Sequence, residues 1–321
     1  MSIKLILFKL LDIICLPLTI LTGLWLKLLT TVGLHKTSVG KNTLLFFGIL
    51  PIRDHYYQPL INPKKHLRTS LRAERFLPGI AMNTAMQLEI LKSFDFNSEL
   101  AIFPVNSQGD QNVFYYNNGS FEAGDAEYLY NIIRLFKPSQ VIEIGSGNST
   151  LIAVKALEKN KELDIHYKSK HICIEPFEQP WLKSLPVQVE RRKVEEMDLS
   201  LFQSLTANDV LFIDSSHIIR PQGDVLFEYL EILPTLNTGV LVHIHDIFTP
   251  RDYPDSWILE EHRLWNEQYL LEAFLTLNQS FEILGAVNFL SHQYSKELSS
   301  KCPIFASQQN KEPGSFWMRK I

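Results

Sequence analysis

The sequence predicts an α/β fold with a doubly wound, mostly parallel sheet of seven strands, preceded by an apolar N-terminal helix and a leader region. From residue 126 onwards, segments with helical spacing alternate with short apolar segments. This alternation is typical of a parallel sheet with helices on both faces. The apolar segments lack polar alternation, as expected of strands buried on both sides. Two final strand patterns with no helical pattern between them indicate a closing antiparallel hairpin.

The elements follow from the periodicity of the apolar residues. The predicted strands are Val141–Ile144, His171–Glu175, Val187–Val189, Asp209–Asp214, Gly239–His245, Phe281–Phe289 and Ser315–Lys320. The predicted helices are Ala126–Phe136, Ser149–Lys159, Gly223–Leu233 and Trp257–Leu277. A long connection from Ser291 to Pro313 would join the last two strands. Ligands of such sheets bind beyond the carboxyl ends of the strands, so the residues that follow each strand are the candidate site.

The composition excludes several classes of protein. The chain has 321 residues and a formal net charge of −4 at pH 7, so we expect neither a nucleic-acid surface nor a charged disordered tail. Its three cysteines, Cys15, Cys173 and Cys302, are far apart and odd in number, so neither a disulfide framework nor a zinc site is predicted. A reducing compartment is the simpler interpretation, and we expect a cytoplasmic protein.

The N-terminus is strongly apolar over residues 3–34, with no charge from Ile13 to Leu26. A spanning helix needs about 20 apolar residues, a length that is reached if Lys27 extends its amine to the membrane surface. Three interpretations stay open. The segment spans or lies on a membrane, which would attach the protein to the inner face. It packs as a helix on the domain or on a partner subunit. Or it is a signal peptide, against which Asp12 and the lack of a clear cleavage site argue.

Three regions are predicted: an apolar segment over 1–40, a leader or lid over 41–122, and the main domain over 123–321. Within the leader, Thr43–Ile52 is too short to span a bilayer. It predicts either a buried strand or a second membrane-contacting element. Met82–Phe94 predicts a helix. The leader could close over a substrate or only cover the fold.

Another segment of the leader, Arg53–Tyr57, is polar and aromatic enough to line a pocket. Capping of the N-terminal apolar segment is an equally open interpretation.

A glycine turn follows the first predicted strand. Gly145 and Gly147 allow a tight turn and a close approach of ligand to backbone, and the helix after them offers free N–H groups near Ser149. Thr150 stands where a dinucleotide-binding fingerprint needs its third glycine, which counts against a dehydrogenase. After the second strand, Glu175 lies where an acidic residue would hydrogen-bond a ribose.

Histidines and aspartates follow the fourth and fifth strands, in Asp214-Ser215-Ser216-His217 and His243-Ile244-His245-Asp246. Neighbouring parallel strands end side by side, so we expect the two groups to converge. His243 and His245 would share one face of an extended strand. Imidazole and carboxylate together suit a divalent metal, and the same groups could act as a general base on a hydroxyl.

These residues resemble class I S-adenosylmethionine (SAM)-dependent methyltransferases over about residues 120–321. Glu143-x-Gly145-x-Gly147 is similar to motif I of that family, and Glu175 matches its ribose-binding acid. Asp214 matches the end of the fourth strand, and the closing hairpin matches the reversed last strand. The resemblance implies SAM as cofactor, bound by Glu143, Gly145, Gly147, Ser149, Glu175 and Asp214.

Within that superfamily, the fourth and fifth strand ends resemble the metal region of cation-dependent O-methyltransferases, of the caffeoyl-CoA and antibiotic-tailoring sugar types. Asp214 and Asp246 match the pattern, whereas His245 replaces the usual acidic or amide partner. The resemblance implies a divalent cation such as Mg²⁺ on Asp214, His245 and Asp246. The catalytic candidates are Asp214, His217, His243 and His245, with His217 or His243 as the base if no metal is present.

The expected activity is O-methylation of a hydroxyl on a small molecule, a sugar or a lipid-linked glycan, with no nucleic-acid partner. Two alternatives remain. One is a catalytically silent SAM- or nucleotide-binding protein of the same fold. The other is a nucleotide-dependent oxidoreductase, against which Thr150 and the closing hairpin argue. The acceptor, the methylated atom and the oligomeric state are left open.

Overall fold

A computed structural model describes residues 3–177, 179–308 and 310–321. The chain divides into two compact units, Met1–Ser70 and Leu71–Ile321.

The N-terminal unit consists of helix α1 (Ile3–Val32), a 3₁₀ turn (Leu34–Lys36), helix α2 (Ser38–Phe46) and helix α3 (Pro63–His66). The predicted N-terminal helix is confirmed, and of its described residues only Leu29 is buried.

The predicted buried strand at Thr43–Ile52 is wrong. The first part of this segment belongs to α2, and Gly48, with a φ of +71°, follows the end of that helix. Glycine adopts this left-handed conformation without a steric penalty, so it is a common helix terminator. Phe46 and Phe47 stay exposed rather than packing in a sheet.

The larger unit contains a seven-stranded sheet. Its strands are β1 (Gln140–Ile144), β2 (Lys170–Ile174), β3 (Gln188–Glu190), β4 (Val210–Ile213), β5 (Leu241–Ile244), β6 (Phe281–Ala286) and β7 (Phe316–Lys320). Their order is β3-β2-β1-β4-β5-β7-β6. The first five are parallel, and β7 runs antiparallel to both β5 and β6. The predicted mostly parallel sheet with a closing hairpin is confirmed.

Helices cover both faces of this sheet. They are α4 (Thr84–Ser93), α5 (Asn97–Leu100), α6 (Asp125–Phe136), α7 (Asn148–Leu163), α8 (Leu199–Gln203), α9 (Asp224–Phe227), α10 (Leu233–Thr235), α11 (Glu267–Leu275), α12 (Val287–Gln293), α13 (Ser295–Lys301) and α14 (Pro303–Ser307). A π-helical turn (Glu228–Ile232) joins α9 to α10. Successive strand residues enter two separate cores: Val141 and Phe212 pack in one, and Ile142 and Leu211 in the other. This alternation is the doubly wound arrangement that the sequence predicts.

The predicted long helix Trp257–Leu277 is interrupted. A π-helical turn (Ser256–Glu260) is followed by an irregular stretch, and α11 begins at Glu267. The break has a local cause, because the backbone carbonyl of His217 accepts hydrogen bonds from the N–H groups of Asn266 (3.1 Å) and Glu267 (3.2 Å). These two bonds tie the start of α11 to the loop after β4.

The predicted strand Phe281–Phe289 is also too long, because β6 ends at Ala286 and α12 follows directly. The connection from Ser291 to Pro313 contains short helices rather than irregular chain. One of them, α14, is anchored by Glu127, whose buried carboxylate accepts the N–H groups of Ile304 (2.7 Å) and Phe305 (2.9 Å). Free N–H groups at a helix start need such partners.

Candidate functional site

The glycine turn after β1 is shaped by two glycines with different constraints. Gly145 has a φ of +78°, and a Cβ there would lie 2.0 Å from the carbonyl oxygen of Asp214. Only glycine fits at such a close approach of two strand ends. A Cβ at Gly147 would meet no atom within 4 Å. The backbone at Gly147 therefore faces open space, where a ligand can reach it.

The predicted ribose-binding Glu175 lies beside this turn. Its carboxylate accepts hydrogen bonds from the backbone N–H groups of Ser146 (3.1 Å) and Phe177 (2.9 Å). Glu175 thus holds the glycine turn in place while lining the space beyond it.

Glu143 and Ser149, two further predicted cofactor residues, bond to each other. The Ser149 hydroxyl donates to Glu143 Oε1 at 2.6 Å. The other oxygen, Glu143 Oε2, lies 3.0 Å from His171 Nε2 and 3.6 Å from Cys173 Sγ. We call Glu143, His171 and Cys173 the buried cluster, since all three are buried. Burial raises the pKa of the Cys173 thiol, so the thiol stays protonated.

Two cavities lie at the carboxyl ends of the strands. The larger, the glycine-loop cavity, has a volume of about 580 Å³, and its neighbour has about 370 Å³. Gly145, Glu175 and Asp214 line both of them. These volumes lie in the range of small-molecule sites, so an elongated ligand could lie across the strand ends from one cavity to the other.

Part of the predicted leader reaches the glycine-loop cavity. The lining residues from this region are Ser107, Gly109, Asp110, Gln111, Tyr115, Ser120 and Phe121. Ser120 Oγ accepts a hydrogen bond from Asn148 Nδ2 (2.8 Å), at the start of α7. No sequence motif predicts these contacts, which arise from a loop that folds back over the sheet.

Three side chains from the ends of β4 and β5 converge, and we call Asp214, His217 and Asp246 the open cluster. Their ligand atoms all lie within 4.8 Å of one another. His217 Nε2 is 3.3 Å from Asp214 Oδ1 and 3.5 Å from Asp246 Oδ2. Asp214 also lines the glycine-loop cavity, so the open cluster adjoins the place where a ligand would bind.

The backbone of the open cluster is strained at two positions. His217 has a φ of +59° and Asp246 a φ of +57°. Non-glycine residues adopt this left-handed conformation at a free-energy cost, and such residues concentrate at functional sites. The strain here brings both side chains toward Asp214.

Two residues that the sequence did not predict complete the surroundings of His217. The fully buried Glu267 accepts a hydrogen bond from His217 Nδ1 at 2.8 Å, and the ring of Trp265 lies 4.4 Å from the imidazole. With Nδ1 donating to Glu267, Nε2 is the nitrogen that faces the two aspartates. No Gly or Pro lies within residues 257–277, so the sequence carries no local signal for the helix break that brings these residues here.

The charges of the open cluster shift its pKa values. Burial lowers the pKa of His217, but hydrogen bonds to Asp214 and Glu267 outweigh it and hold that pKa well above the usual value. Burial raises the pKa of Asp214, and the charges of His245 and His217 lower it to a net value below the usual range. The cluster therefore concentrates negative charge around one imidazole.

The structure places His217, and not His245, in the group with Asp214 and Asp246. His245 is buried, with Nε2 at 3.6 Å from Asp246 Oδ1, and its ring packs against Phe121. His245 lies next to the open cluster but is not part of it. His217 is the histidine whose ligand atom lies within 4.8 Å of those of Asp214 and Asp246. The sequence showed which residues meet, but not which nitrogen faces the two aspartates.

The structure places His243, a predicted catalytic candidate, in the core. This side chain is fully buried between the rings of Phe212 (4.0 Å) and Trp317 (4.8 Å), and its Nε2 lies 3.0 Å from Ser315 Oγ. Burial holds the pKa of His243 well below the usual value. His243 and His245 do share a face of β5, as predicted, but that face packs against the core.

The chain is similar to several known proteins. Residues 142–247 match a family described as a methyltransferase domain. An uncharacterized protein of Archaeoglobus fulgidus is 29% identical over an alignment 167 positions long, which covers 48% of this chain and 73% of that protein. An O-methyltransferase from Bacillus cereus, solved with SAH, is 12% identical with a TM-score of 0.36, covering 74% of this chain and 91% of its own. The cyclase SpnF is 12% identical with a TM-score of 0.30, covering 73% and 96%.

Both TM-scores are low, so the assignment depends on the matched domain and on the sheet. The match begins in β1, ends just after the open cluster and includes the glycine turn and Glu175. The strand order with its reversed β7 is the one that the resemblance implies. Residues 142–247 are therefore similar to a methyltransferase domain, and they lie in a seven-stranded sheet whose last strand is reversed.

Proposed function

We propose that this protein transfers the methyl group of SAM to a hydroxyl of a small molecule, sugar or lipid-linked glycan, with a divalent cation held by the open cluster. The observation that carries the proposal is the adjacency of two features. Asp214 belongs both to the open cluster and to the wall of the glycine-loop cavity. A methyl donor bound along the glycine turn would therefore lie beside the two carboxylates and the imidazole of the open cluster.

The glycine turn fits SAM. Gly147 leaves open space where a side chain would otherwise stand, and Glu175 offers a carboxylate at the wall shared by both cavities. The amino-acid part of SAM would lie near Gly147 and the start of α7, and its ribose near Glu175. In the reaction the acceptor oxygen forms a bond to the methyl carbon, the sulfonium bond breaks, and the sulfur leaves as a neutral thioether.

The open cluster fits a divalent cation. It offers two carboxylates and one imidazole nitrogen within 4.8 Å, a ligand set that suits Mg²⁺ or Mn²⁺. Glu267 supports this use, because metal-binding histidines commonly donate their second nitrogen to a carboxylate. When bound there, the cation would lower the pKa of an acceptor hydroxyl.

The protein's own residues then align and deprotonate the acceptor. Methyl transfer needs the nucleophile in line with the methyl group, at a distance of a few ångströms. Trp265 and the strained loop of His217 fix the imidazole against Asp214. Burial raises the pKa of Asp246, and this carboxylate is a nearby group that could take up the acceptor proton.

Membrane attachment is the second part of the proposal. Helix α1 has 30 residues, enough to cross a membrane in length and composition, and its apolar window is not buried in the protein. The hydroxyls of Thr19, Thr30 and Thr31 bond to backbone carbonyls of the same helix. Polar groups satisfied in this way are what a lipid environment requires. A lipid-linked acceptor would be presented by the same membrane.

Cell fractionation tests the attachment. We expect the full chain in the membrane fraction after alkaline washing, with its N-terminus intact by mass. Recovery in the soluble fraction contradicts attachment, and loss of the first residues indicates a cleaved signal peptide instead.

A glycine pair tests the methyl-donor site. In Gly147→Ala the new methyl group enters the cavity, so we expect SAM affinity to fall by about tenfold with thermal stability near that of the wild type. Gly145→Ala is the matched control, because its Cβ would clash with Asp214 and lower stability instead. Calorimetry and thermal melts measure the two effects. Unchanged SAM affinity in Gly147→Ala would place the donor elsewhere.

A further inference from the structure

The N-terminal unit contains a cavity of its own, with a volume of about 240 Å³, at the C-terminal end of α1. We call it the basal cavity. Its lining residues are Thr30, Gly33, Leu34, His35, Pro51, Arg53 and Gln58. Polar side chains thus gather where an apolar helix would leave the hydrocarbon core of a bilayer.

The charged group of this cavity is Arg53. Its side chain is half-buried, and among the described residues it makes no hydrogen bond or ion pair. The neighbouring carboxylate, Asp54, is occupied elsewhere, since it accepts the N–H of Asn62 (3.1 Å) and pairs with His66 (2.8 Å) and Lys65 (3.4 Å). A half-buried guanidinium without a counter-ion among the described residues is free to pair with an anion from outside the protein.

His35 is held beside the same cavity by an unusual backbone. Gly33 has a φ of +103°, and a Cβ there would lie 2.8 Å from the imidazole of His35. Glycine at this position therefore lets the ring fold back over the chain. Together with the amide of Gln58, the cavity presents donors from three side chains, as a phosphate group would require.

The charge of the unit points to the same kind of ligand. Residues 1–70 contain nine lysines and arginines against two aspartates, although the whole chain carries −4. Six of these cations follow α1, and Lys4 and Lys9 precede its apolar centre. Basic segments next to a membrane helix bind the anionic lipids of the cytoplasmic leaflet.

We propose that the basal cavity binds the phosphate of an anionic lipid, with Arg53 as its counter-ion and the acyl chains beside α1. This proposal rests on the membrane attachment proposed above and does not depend on methyl transfer. Its phosphate chemistry is shared with free inorganic phosphate, but the exposed apolar face of α1 favours the lipid.

The test is binding of fluorescent phosphatidic acid to the full chain in non-ionic detergent micelles. We expect Arg53→Gln to bind the lipid about tenfold more weakly, since a charge-assisted hydrogen bond is lost. Arg68→Gln is the matched control, because Arg68 is exposed in the same unit and does not line the cavity. We expect it to bind as the wild type does, and inorganic phosphate not to displace the lipid.

Equal affinity of Arg53→Gln and the wild type overturns the proposal. An equal loss of lipid affinity in Arg68→Gln also overturns the proposal, because it shows that the lipid is attracted only by the net charge of the unit. Complete displacement by inorganic phosphate identifies a free-phosphate site. The helical circular dichroism signal of each variant reports on folding of the N-terminal unit, which contains Arg53. SAM affinity is measured on the same samples. A loss of SAM binding in the wild type would count against the proposed function and leave the lipid result standing.

Discussion

Two clusters of potential metal ligands stand at neighbouring places on one sheet, and they differ in what surrounds them. The buried cluster joins Glu143 of β1 to His171 and Cys173 of β2, and all three side chains are closed off from solvent. The open cluster lies past the ends of β4 and β5 and adjoins the glycine-loop cavity through Asp214. Similar side chains are thus placed in two different environments.

The hydrogen bonds of the two clusters are the reason why we propose different roles for them. In the buried cluster both Glu143 oxygens are already used by protein partners, Ser149 and His171. In the open cluster, Glu267 accepts a hydrogen bond from Nδ1 of His217, and Nε2 faces the two aspartates. A ligand set with its internal partners satisfied stabilises the fold, whereas one that gathers three carboxylates around one imidazole is suited to bind a cation.

Among variants that distinguish the two clusters, we expect the largest effect from Asp246→Gly. Glycine tolerates the φ of +57° at this position, so the variant removes the carboxylate without adding backbone strain. We expect methyl transfer to fall by more than about a hundredfold, with SAM affinity near that of the wild type. Turnover and SAM calorimetry measure the two quantities. An equal loss of SAM binding would argue for a structural role of Asp246.

A smaller effect is expected from Glu267, which acts through His217 as a positioning residue. Glu267→Leu removes the acceptor of the Nδ1 proton, and we expect cation affinity to fall by about 10- to 100-fold. Glu267→Gln keeps an acceptor oxygen and should lose less. Mn²⁺ titration followed by electron paramagnetic resonance measures both. If the two variants lose affinity equally, the hydrogen bond to His217 is not what orients the imidazole.

The smallest effect on cation binding is expected in the buried cluster. His171→Leu leaves one Glu143 oxygen without its histidine partner, so we expect a loss of about 2 kcal/mol in the free energy of unfolding. Cation affinity should stay at the wild-type value. Denaturant unfolding and the same Mn²⁺ titration provide the readouts. A drop in Mn²⁺ affinity without a loss of stability would reverse the roles assigned to the two clusters.

The sheet was predictable because its signals are local. Apolar periodicity predicted all seven strands, and Gly145 and Gly147 predicted the turn after the first of them. The closing region was harder, since α12–α14 depend on contacts with distant residues such as Glu127 and Gln87. Apolar periodicity is a local property of the sequence, so it does not predict contacts between residues far apart in the chain.

The site was predictable in its composition but not in its geometry. His217, His243 and His245 looked alike in the sequence, and packing by Phe212 and Trp317 decided that His243 lies in the core. The cation-binding role that we propose for His217 depends on a helix break, which places Glu267 within hydrogen-bond distance of its imidazole. Burial and tautomer are set by residues far apart in the chain, which a single sequence does not reveal.

A calorimetric titration of Mn²⁺ into the SAM-loaded full chain, in mild detergent, tests directly whether the open cluster binds a divalent cation. The open cluster predicts saturable binding of Mn²⁺ that persists in His171→Leu and disappears in Asp246→Gly. Binding of equal affinity in Asp246→Gly, or no Mn²⁺ binding by the wild type, would contradict the assignment of the open cluster as the reaction centre.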